Sequence, residues 1–206
     1  MNPQELSQLL GRMDVYLLDQ MLKGNIDLSQ PILDAGCGGG RNTVYFMRMK
    51  AEVYGIDQNS EAIEAIRQLA QHLDYPHLDR FSVRSIYQTS FPDAFFGTVI
   101  CNAVLHFCPD KTYFDKAVRE CWRILQPEGI LFIRTASLEG MEGKVKPIRD
   151  KQGWYAIPDG TERFLVDTKE LVALSEQLEG NLYQPLRSVL LHEMRSMCTW
   201  CLQKRP

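Results

Sequence analysis

Cysteine is scarce in this chain of 206 residues, and six cysteines are too few for a disulfide scaffold. The single CxxC, at Cys198 and Cys201, cannot supply the four ligands of a zinc site, so no metal is expected. No apolar run approaches the roughly 18 residues that a membrane span needs. The first 20 residues carry charges where a secretory signal would be apolar. These absences predict a cytoplasmic protein with reduced thiols and no membrane partner.

A large excess of charge of either sign is also missing. Lys and Arg total 23 and Asp and Glu total 26, so the formal net charge is −3. This balance disfavours a nucleic-acid partner held by overall charge. Hydrophobic residues at 45% and charged residues at 24% are typical of a globular chain. The length suits one domain over 1–206, as a monomer or homodimer with a small-molecule partner.

Strand-like and helix-like segments alternate along most of the chain. Alternation of this kind predicts a parallel sheet with helices on both faces. The two final β-like runs have no helix between them and should pair as an antiparallel edge hairpin. The predicted fold is therefore α/β, a Rossmann-like doubly wound sheet of about seven strands, mostly parallel. The predicted strands are 31–35, 52–57, 81–84, 97–102, 130–135, 183–192 and 196–203, and the main helices are 41–50, 60–73, 110–125 and 168–178.

Two segments flank or interrupt this alternation. Residues 3–23 are predicted to be helical with a break at Gly11, within an N-terminal helical cap over 1–30. Residues 137–160 have no clear periodicity and follow the fifth strand, so they emerge at the edge where such sheets bind ligands. Loops of this length in compact domains are usually functional or disordered. We interpret 137–160 as an inserted lid or substrate loop.

The first predicted strand ends in a glycine-rich turn, DAGCGGGRN at 34–42. Glycines let the backbone approach a ligand closely. A dinucleotide motif needs Gly or Ala where Arg41 stands, and a phosphate loop needs Lys followed by Ser or Thr. Asp34, just before the turn, suits either a cationic ligand or a loop locked by side-chain hydrogen bonds.

Asp57 ends the second predicted strand, 21 residues after the first glycine of the turn. An acid at this place can accept hydrogen bonds from ribose hydroxyls. It can also cap the helix that follows, and the two roles are compatible.

Four ordered segments resemble a known family. ILDAGCGGGRN at 32–42, VYGIDQNSEAI at 53–63, SFPDAFFGTVICNAVLHF at 90–107 and RILQPEGILFI at 123–133 are similar to motifs of class I S-adenosylmethionine-dependent methyltransferases. The ends of the chain are similar to bacterial small-molecule members of the tellurite-resistance and ubiquinone-biosynthesis types. The resemblance implies S-adenosylmethionine as cofactor, S-adenosylhomocysteine as product and methyl transfer (EC 2.1.1.-) to a small molecule.

The resemblance also implies a set of cofactor-binding residues. Asp57 would hold the ribose, and Asn102 and Ala103 would lie near the sulfonium. Ser85 stands where many members have Asp, so its oxygen or a backbone carbonyl would have to replace that contact. The full implied set is Asp34, Ala35, Gly36, Cys37, Gly38, Asn42, Asp57, Gln58, Ser85, Ile86, Asn102 and Ala103.

Other residues are candidates for the chemistry and for the acceptor pocket. His106 follows the fourth strand and is either a general base or a packing residue. If the basic candidates converge, the pocket suits an anionic acceptor; otherwise they form a solvated charged loop. Two adjacent aromatics favour an ordered lid. The acceptor-pocket candidates are Tyr16, Arg134, Trp154, Tyr155 and Arg163.

Three alternatives stay open beside a methyltransferase. The first is a catalytically inactive S-adenosylmethionine-binding regulatory or interaction protein, which would lack an acceptor pocket. A nicotinamide oxidoreductase is opposed by Arg41, and an aminopropyltransferase is opposed by the lack of an acidic cluster that would bind a polyamine.

Overall fold

A parallel sheet forms the centre of the computed structural model, which describes residues 2–206. Five parallel strands lie in the order β3-β2-β1-β4-β5, so the chain reverses direction across the sheet after β3. Their carboxyl ends therefore share one edge, with the switch in strand order between β1 and β4. The strands are β1 (Ile32–Ala35), β2 (Val53–Asp57), β3 (Phe81–Val83), β4 (Phe96–Asn102) and β5 (Leu125–Ala136).

The segment after β5 contains a second, small antiparallel sheet. It consists of β6 (Lys146–Pro147), β7 (Trp154–Ala156) and β8 (Glu162–Phe164), paired in that order. Strands of two or three residues are too short to show a periodic pattern, so the sequence did not predict β6 and β7. The indole Nε1 of Trp154 donates to the carbonyl oxygens of Cys108 at 3.0 Å and Pro109 at 2.9 Å. These bonds anchor the small sheet to the segment between β4 and the helix that begins at Lys111.

The C-terminal strands complete the main sheet as an antiparallel edge. β9 (Asn181–Leu182) and β10 (Arg187–Leu191) both pair with β11 (Arg195–Gln203), and β11 pairs with β5. Seven strands lie along the path from β10 to β3, and β9 is an eighth within residues 2–206. The predicted seven-strand sheet with an antiparallel C-terminal edge is thus confirmed. β5 begins at Leu125, earlier than predicted, because Leu125 already pairs with Phe96 of β4.

Helices cover both faces of the sheet. Asp or Asn side chains cap five of the described helices by accepting a backbone N–H of the first turn. The helix predicted over 3–23 divides at Gly11, where φ is +63°. Residue 1, the first of the predicted N-terminal cap, lies outside the described residues. The helices are α1 (Pro3–Leu10), α2 (Val15–Leu22), α3 (Thr43–Arg48), α4 (Ser60–His72), α5 (Lys111–Ile124) and α6 (Thr168–Gln177).

Two hydrophobic clusters hold these layers together. Phe114 of α5 and Leu171 of α6 pack with Trp200 of β11 in one cluster. Phe46 of α3 and Ile66 of α4 pack in the other. All five are buried, and burying each side chain away from water contributes about 1.5–3 kcal/mol to the stability of the fold. Among the helices of residues 2–206, none has the length and apolar character that crossing a bilayer requires.

Candidate functional site

The glycine turn lies at the carboxyl end of β1 and is fixed by backbone hydrogen bonds. The N–H groups of Gly36 and Cys37 both donate to the carbonyl oxygen of Ile56, at 2.8 and 3.0 Å. Gly36 has φ +83°, and a Cβ there would lie 2.2 Å from Cγ2 of Val104, so no other residue fits. Gly38 has φ +52° with open space around the position of a Cβ. The turn therefore presents bare backbone to the space beyond the strands.

The carboxylate of Asp57 ties this turn to β2. Oδ2 accepts the N–H of Gly38 at 2.9 Å, and Oδ1 accepts the N–H of Asn59 at 2.9 Å. The cap of α4 is Asn59, whose side chain accepts the N–H of Glu61 at 2.9 Å. Asp57 is thus a neighbour of the helix start and holds the turn, while its half-buried carboxylate faces the same open space.

A cavity of about 340 Å³ occupies this space. It combines the charged end at Asp57 with apolar surface from Ile86, Val104 and Phe107. Six of the predicted cofactor residues line it, namely Gly36, Gly38, Asp57, Gln58, Ile86 and Ala103. Sequence reasoning missed the other five lining residues, which are Ile56, Arg84, Tyr87, Val104 and Phe107. Only their position in the chain could have indicated them, since Ile56 lies next to the end of β2 and the others lie within six residues of the end of β3 or β4.

The remaining predicted cofactor residues lie beneath or beside the cavity. Ser85 is half-buried, and its hydroxyl accepts the N–H of Tyr87 at 3.2 Å instead of lining the cavity. Asn42 accepts the N–H of Asp14 at 3.0 Å and so holds the start of α2 against the glycine turn. The buried members of the set are Asp34, Ala35, Cys37, Asn42 and Asn102.

A second cavity, of about 210 Å³, adjoins the first. Ala103 lines both, so the two cavities meet at the end of β4. Arg134 and Arg163 are the predicted acceptor residues that line it. Sequence reasoning missed Arg41 and Arg195 as members of this site. The lining residues are Arg41, Ala103, His106, Arg134, Ala136, Ile157, Asp159, Arg163, Leu191, Arg195 and Met197.

The other acceptor candidates support this region without lining either cavity. The ring of Tyr16 lies 4.8 Å from the guanidinium of Arg134, which also pairs with Asp14 at 3.2 Å. Tyr155 packs in a small cluster with Ile157, and Trp154 anchors the small sheet. These contacts bring α2 and the small sheet to the edge of the second cavity.

His106 lies on a short 3₁₀ turn and is 7% exposed. Burial, and then the charges of Arg163, Arg195 and Arg134, lower the pKa of His106 to about 4. Its Nδ1 has no hydrogen-bond partner among residues 2–206. The imidazole is therefore neutral at pH 7 and has a free acceptor or donor position beside the second cavity.

Comparisons with known proteins decide the family. A family model described as a methyltransferase domain matches residues 33–133, which include the glycine turn, Asp57 and Ala103. The chain belongs to the class I S-adenosylmethionine-dependent methyltransferases. The family predicted from the four sequence segments is confirmed, and S-adenosylmethionine is the cofactor that gives this family its name.

The curated relatives of this chain are distant. It is 31% identical over 192 residues to a mitochondrial ubiquinone biosynthesis O-methyltransferase of Rattus norvegicus, covering 82% of this chain and 54% of the relative. It is 27% identical over 134 residues to a ubiquinone biosynthesis O-methyltransferase of Proteus mirabilis, covering 65% and 49%. The chain thus spans about half the length of these relatives.

A solved structure of similar shape is an S-adenosylmethionine-dependent methyltransferase from Methanosarcina mazei. The TM-score is 0.72 at 22% identity, with 90% of this chain and 97% of that chain covered. The likeness confirms the fold of this chain.

The first cavity has the chemistry that the cofactor of this family needs. The cofactor combines ribose hydroxyls, a planar base and a positive charge, and the cavity offers a carboxylate, apolar walls and exposed backbone. Asn102, which precedes Ala103 of the cavity lining, is 5% exposed, and neither polar atom of its amide has a partner within residues 2–206. A buried group left unpaired costs about 1–3 kcal/mol, which a ligand can recover. The residues therefore fit the cofactor.

Asp34 lies under the glycine turn, and its burial as a charged group lowers the stability of the fold. It is 1% exposed, and its Oδ2 accepts the hydroxyl of Thr43 at 2.9 Å. Burial raises the pKa of Asp34 to about 6, although the Thr43 hydrogen bond and the charge of Arg41 lower it. A carboxyl with a raised folded pKa contributes stability below its unfolded pKa of 3.8 and loses it as the pH rises through about 6.

Asp34→Asn is therefore expected to stabilise the fold at pH 8, by about 1–3 kcal/mol, because the amide needs no buried charge. It keeps an acceptor for Thr43. The gain should vanish near pH 4, where the carboxyl is protonated. Denaturant unfolding of both proteins at pH 8 and pH 4 measures this. His106 titrates in both proteins, so its effect cancels in the difference. A variant that is less stable at pH 8 would show that the carboxylate is a structural necessity.

Proposed function

We propose that this chain transfers a methyl group from S-adenosylmethionine to a small molecule bound in the second cavity. The observation that carries the proposal is the junction of the two cavities at Ala103. A regulatory protein that only binds the cofactor needs no second cavity there. The ubiquinone-biosynthesis relatives are O-methyltransferases by name, which supports a small-molecule acceptor.

The residues around the first cavity bind and orient the cofactor in this proposal. Asp57 accepts the ribose hydroxyls, and the open backbone at Gly38 lies alongside the amino-acid part. The buried charge of Asp34 favours a cationic group above it. The cofactor supplies a methyl carbon that bonds to the acceptor atom as its bond to sulfur breaks and the electron pair stays on sulfur. Orientation of this kind can supply a large part of the rate.

His106 provides a place for the acceptor's proton. Its neutral imidazole lines the second cavity and has an unpaired Nδ1 among the described residues. A hydroxyl or amine acceptor that loses a proton on methylation can pass it to the imidazole of His106, and the proton returns to solvent when the product leaves. We propose His106 as the general base.

The direct test uses S-adenosylmethionine carrying a labelled methyl group. The purified chain is incubated with it and a mixture of small metabolites, and the products are separated and identified. The proposal expects label in one or a few small molecules, with equal amounts of S-adenosylhomocysteine formed. Cofactor binding without label transfer to any small molecule would favour the regulatory protein instead.

The N-terminal helices and the small sheet are proposed to close over the acceptor. Ile157, Asp159 and Arg163 bring the small sheet to the second cavity, and the Asp14–Arg134 pair brings α2 to it. Closure would exclude water from the reacting atoms. Hydrogen exchange should slow over 146–164 when product is added with the acceptor found above. Exchange at the rate of free peptide under every condition would contradict a lid.

We also propose a cytoplasmic location and a monomer or homodimer. The six cysteines, all free thiols and all buried, support a reducing compartment. Fractionation of the native cells, with sedimentation of the purified chain, tests both. Recovery with the membranes, or a larger assembly, would contradict them.

A further inference from the structure

Four arginines converge on the second cavity from four separate parts of the chain. Arg41 ends the glycine turn, Arg134 lies on β5, Arg163 lies on β8, and Arg195 begins β11. β11 runs antiparallel to β5, so its first residues lie at the same edge as the last residues of β5. The fold therefore collects a positive charge that no single segment of sequence contains.

Acidic side chains balance only part of this charge. Arg134 pairs with Asp14 at 3.2 Å, and Arg195 approaches Asp159 at 4.0 Å. Arg41 and Arg163 have no carboxylate within 4.0 Å in the part of the chain that the structure describes. The cavity thus has at least two guanidinium groups whose charge is left for a ligand.

The position of Arg163 is fixed before any ligand arrives. Its guanidinium lies 4.8 Å from the ring centre of Phe107, and its Nη1 donates to the carbonyl oxygen of Glu162 at 2.7 Å. A guanidinium held in this way still offers several N–H donors, in a geometry that matches a carboxylate or phosphate. Less side-chain entropy is then lost on binding.

The cavity is also small. Its volume of about 210 Å³ lies below the roughly 300–1,000 Å³ that is typical of ligand pockets in proteins. Apolar surface from Ala136, Ile157 and Met197 faces the arginines across it. The space suits a compact organic anion with some apolar surface.

We infer that the methyl acceptor carries an anionic oxygen group, carboxylate or phosphate, and that Arg163, Arg195 and Arg41 bind that group. The inference rests on the proposed function and specifies its substrate class. The anionic group lies toward Arg163 and Arg195, and the atom to be methylated lies toward Ala103 and His106. Charge-assisted bonds from guanidinium groups are among the stronger contacts that a small ligand can make.

The experiment follows ligand binding in the chain saturated with S-adenosylhomocysteine. Malonate, its neutral isostere malonamide and inorganic phosphate are titrated, and NMR detects the arginine Nε–H and His106 ring resonances. Malonate or phosphate should shift the signals of Arg163 and His106, and malonamide should not at about ten times the concentration, a gap of about 1.4 kcal/mol. The tighter of the two anions identifies the group as carboxylate or phosphate.

Matched variants assign the site. Arg163→Gln and Arg195→Gln should each weaken anion binding about tenfold or more. Arg187→Gln is the control, since Arg187 lies on the same hairpin outside the cavity and should change binding less than about twofold. Arg195 is half-exposed, so its variant tests the site even if Arg163→Gln fails to fold.

Three results would overturn the inference: equal binding of malonamide, no shift with either anion, or unchanged affinity in Arg195→Gln. Failure of S-adenosylhomocysteine itself to bind would instead contradict the proposed function. The initial titration with S-adenosylhomocysteine therefore distinguishes failure of the proposed function from failure of this inference.

Discussion

Replacing Asp57 with alanine is expected to weaken S-adenosylhomocysteine binding by about 2–4 kcal/mol, or roughly 30- to 1,000-fold. Hydrogen bonds from two ribose hydroxyls to a charged acceptor would be lost. The N–H of Gly38 would also lose its partner at 2.9 Å, so the glycine turn would no longer be held for the ligand. The fold should survive, because Asp57 is half-buried at the mouth of a strand. Calorimetric titration measures the effect.

Asn59→Ala is the matched control for Asp57→Ala. Asn59 caps α4 through the N–H of Glu61 and does not line the first cavity. Loss of the cap should lower the free energy of unfolding by about 1 kcal/mol and leave cofactor affinity within about twofold. An unchanged dissociation constant in a folded Asp57→Ala protein would show that this carboxylate serves only the turn and the helix start.

His106→Gln is expected to lower turnover by about 100-fold or more, which is typical for loss of a general base. Cofactor affinity should stay the same, because His106 lines the second cavity and not the first. His72→Gln, on the surface of α4, is the control and should leave turnover unchanged. A loss of cofactor binding that matches the loss of turnover would contradict a role in proton transfer.

The pH dependence of the reaction distinguishes a catalytic role of His106 from a role in packing alone. The lowered pKa keeps the imidazole neutral in the free protein until the pH falls toward about 4. The ratio of kcat/KM between the natural chain and His106→Gln, in which the titration of Asp34 cancels, should therefore show no inflection near the ordinary histidine value of about 6.5, and should fall only at lower pH. A rate that falls through pH 6.5 in the natural chain but not in His106→Gln would show that burial and the arginines do not control this group.

The main sheet could be predicted because its signals are local. The apolar run before the glycines predicts β1, and Asp57 marks the end of β2. The lack of a helix between the last two runs predicts the hairpin of β10 and β11. The small sheet gave no such signal, because β6 has two residues and β7 has three. Trp154 indicated order in that segment, and its indole hydrogen bonds explain why.

The cofactor side of the site could also be predicted, since the glycine turn and Asp57 are close to the strand ends that position them. The acceptor side depends on how distant segments of the chain pair in the sheet, which the sequence does not show. Arg195 enters the second cavity only because β11 runs antiparallel to β5. Arg41 was interpreted as an obstacle to a dinucleotide, whereas the structure places it on the lining of the second cavity.

The most direct test of the account is a titration of the natural chain with S-adenosylhomocysteine and with NAD, followed by calorimetry. One S-adenosylhomocysteine should bind per chain, and NAD should give no response, because Arg41 stands where a dinucleotide turn needs Gly or Ala. Tight binding of NAD with no response to S-adenosylhomocysteine would contradict the assignment of the first cavity and the function built on it.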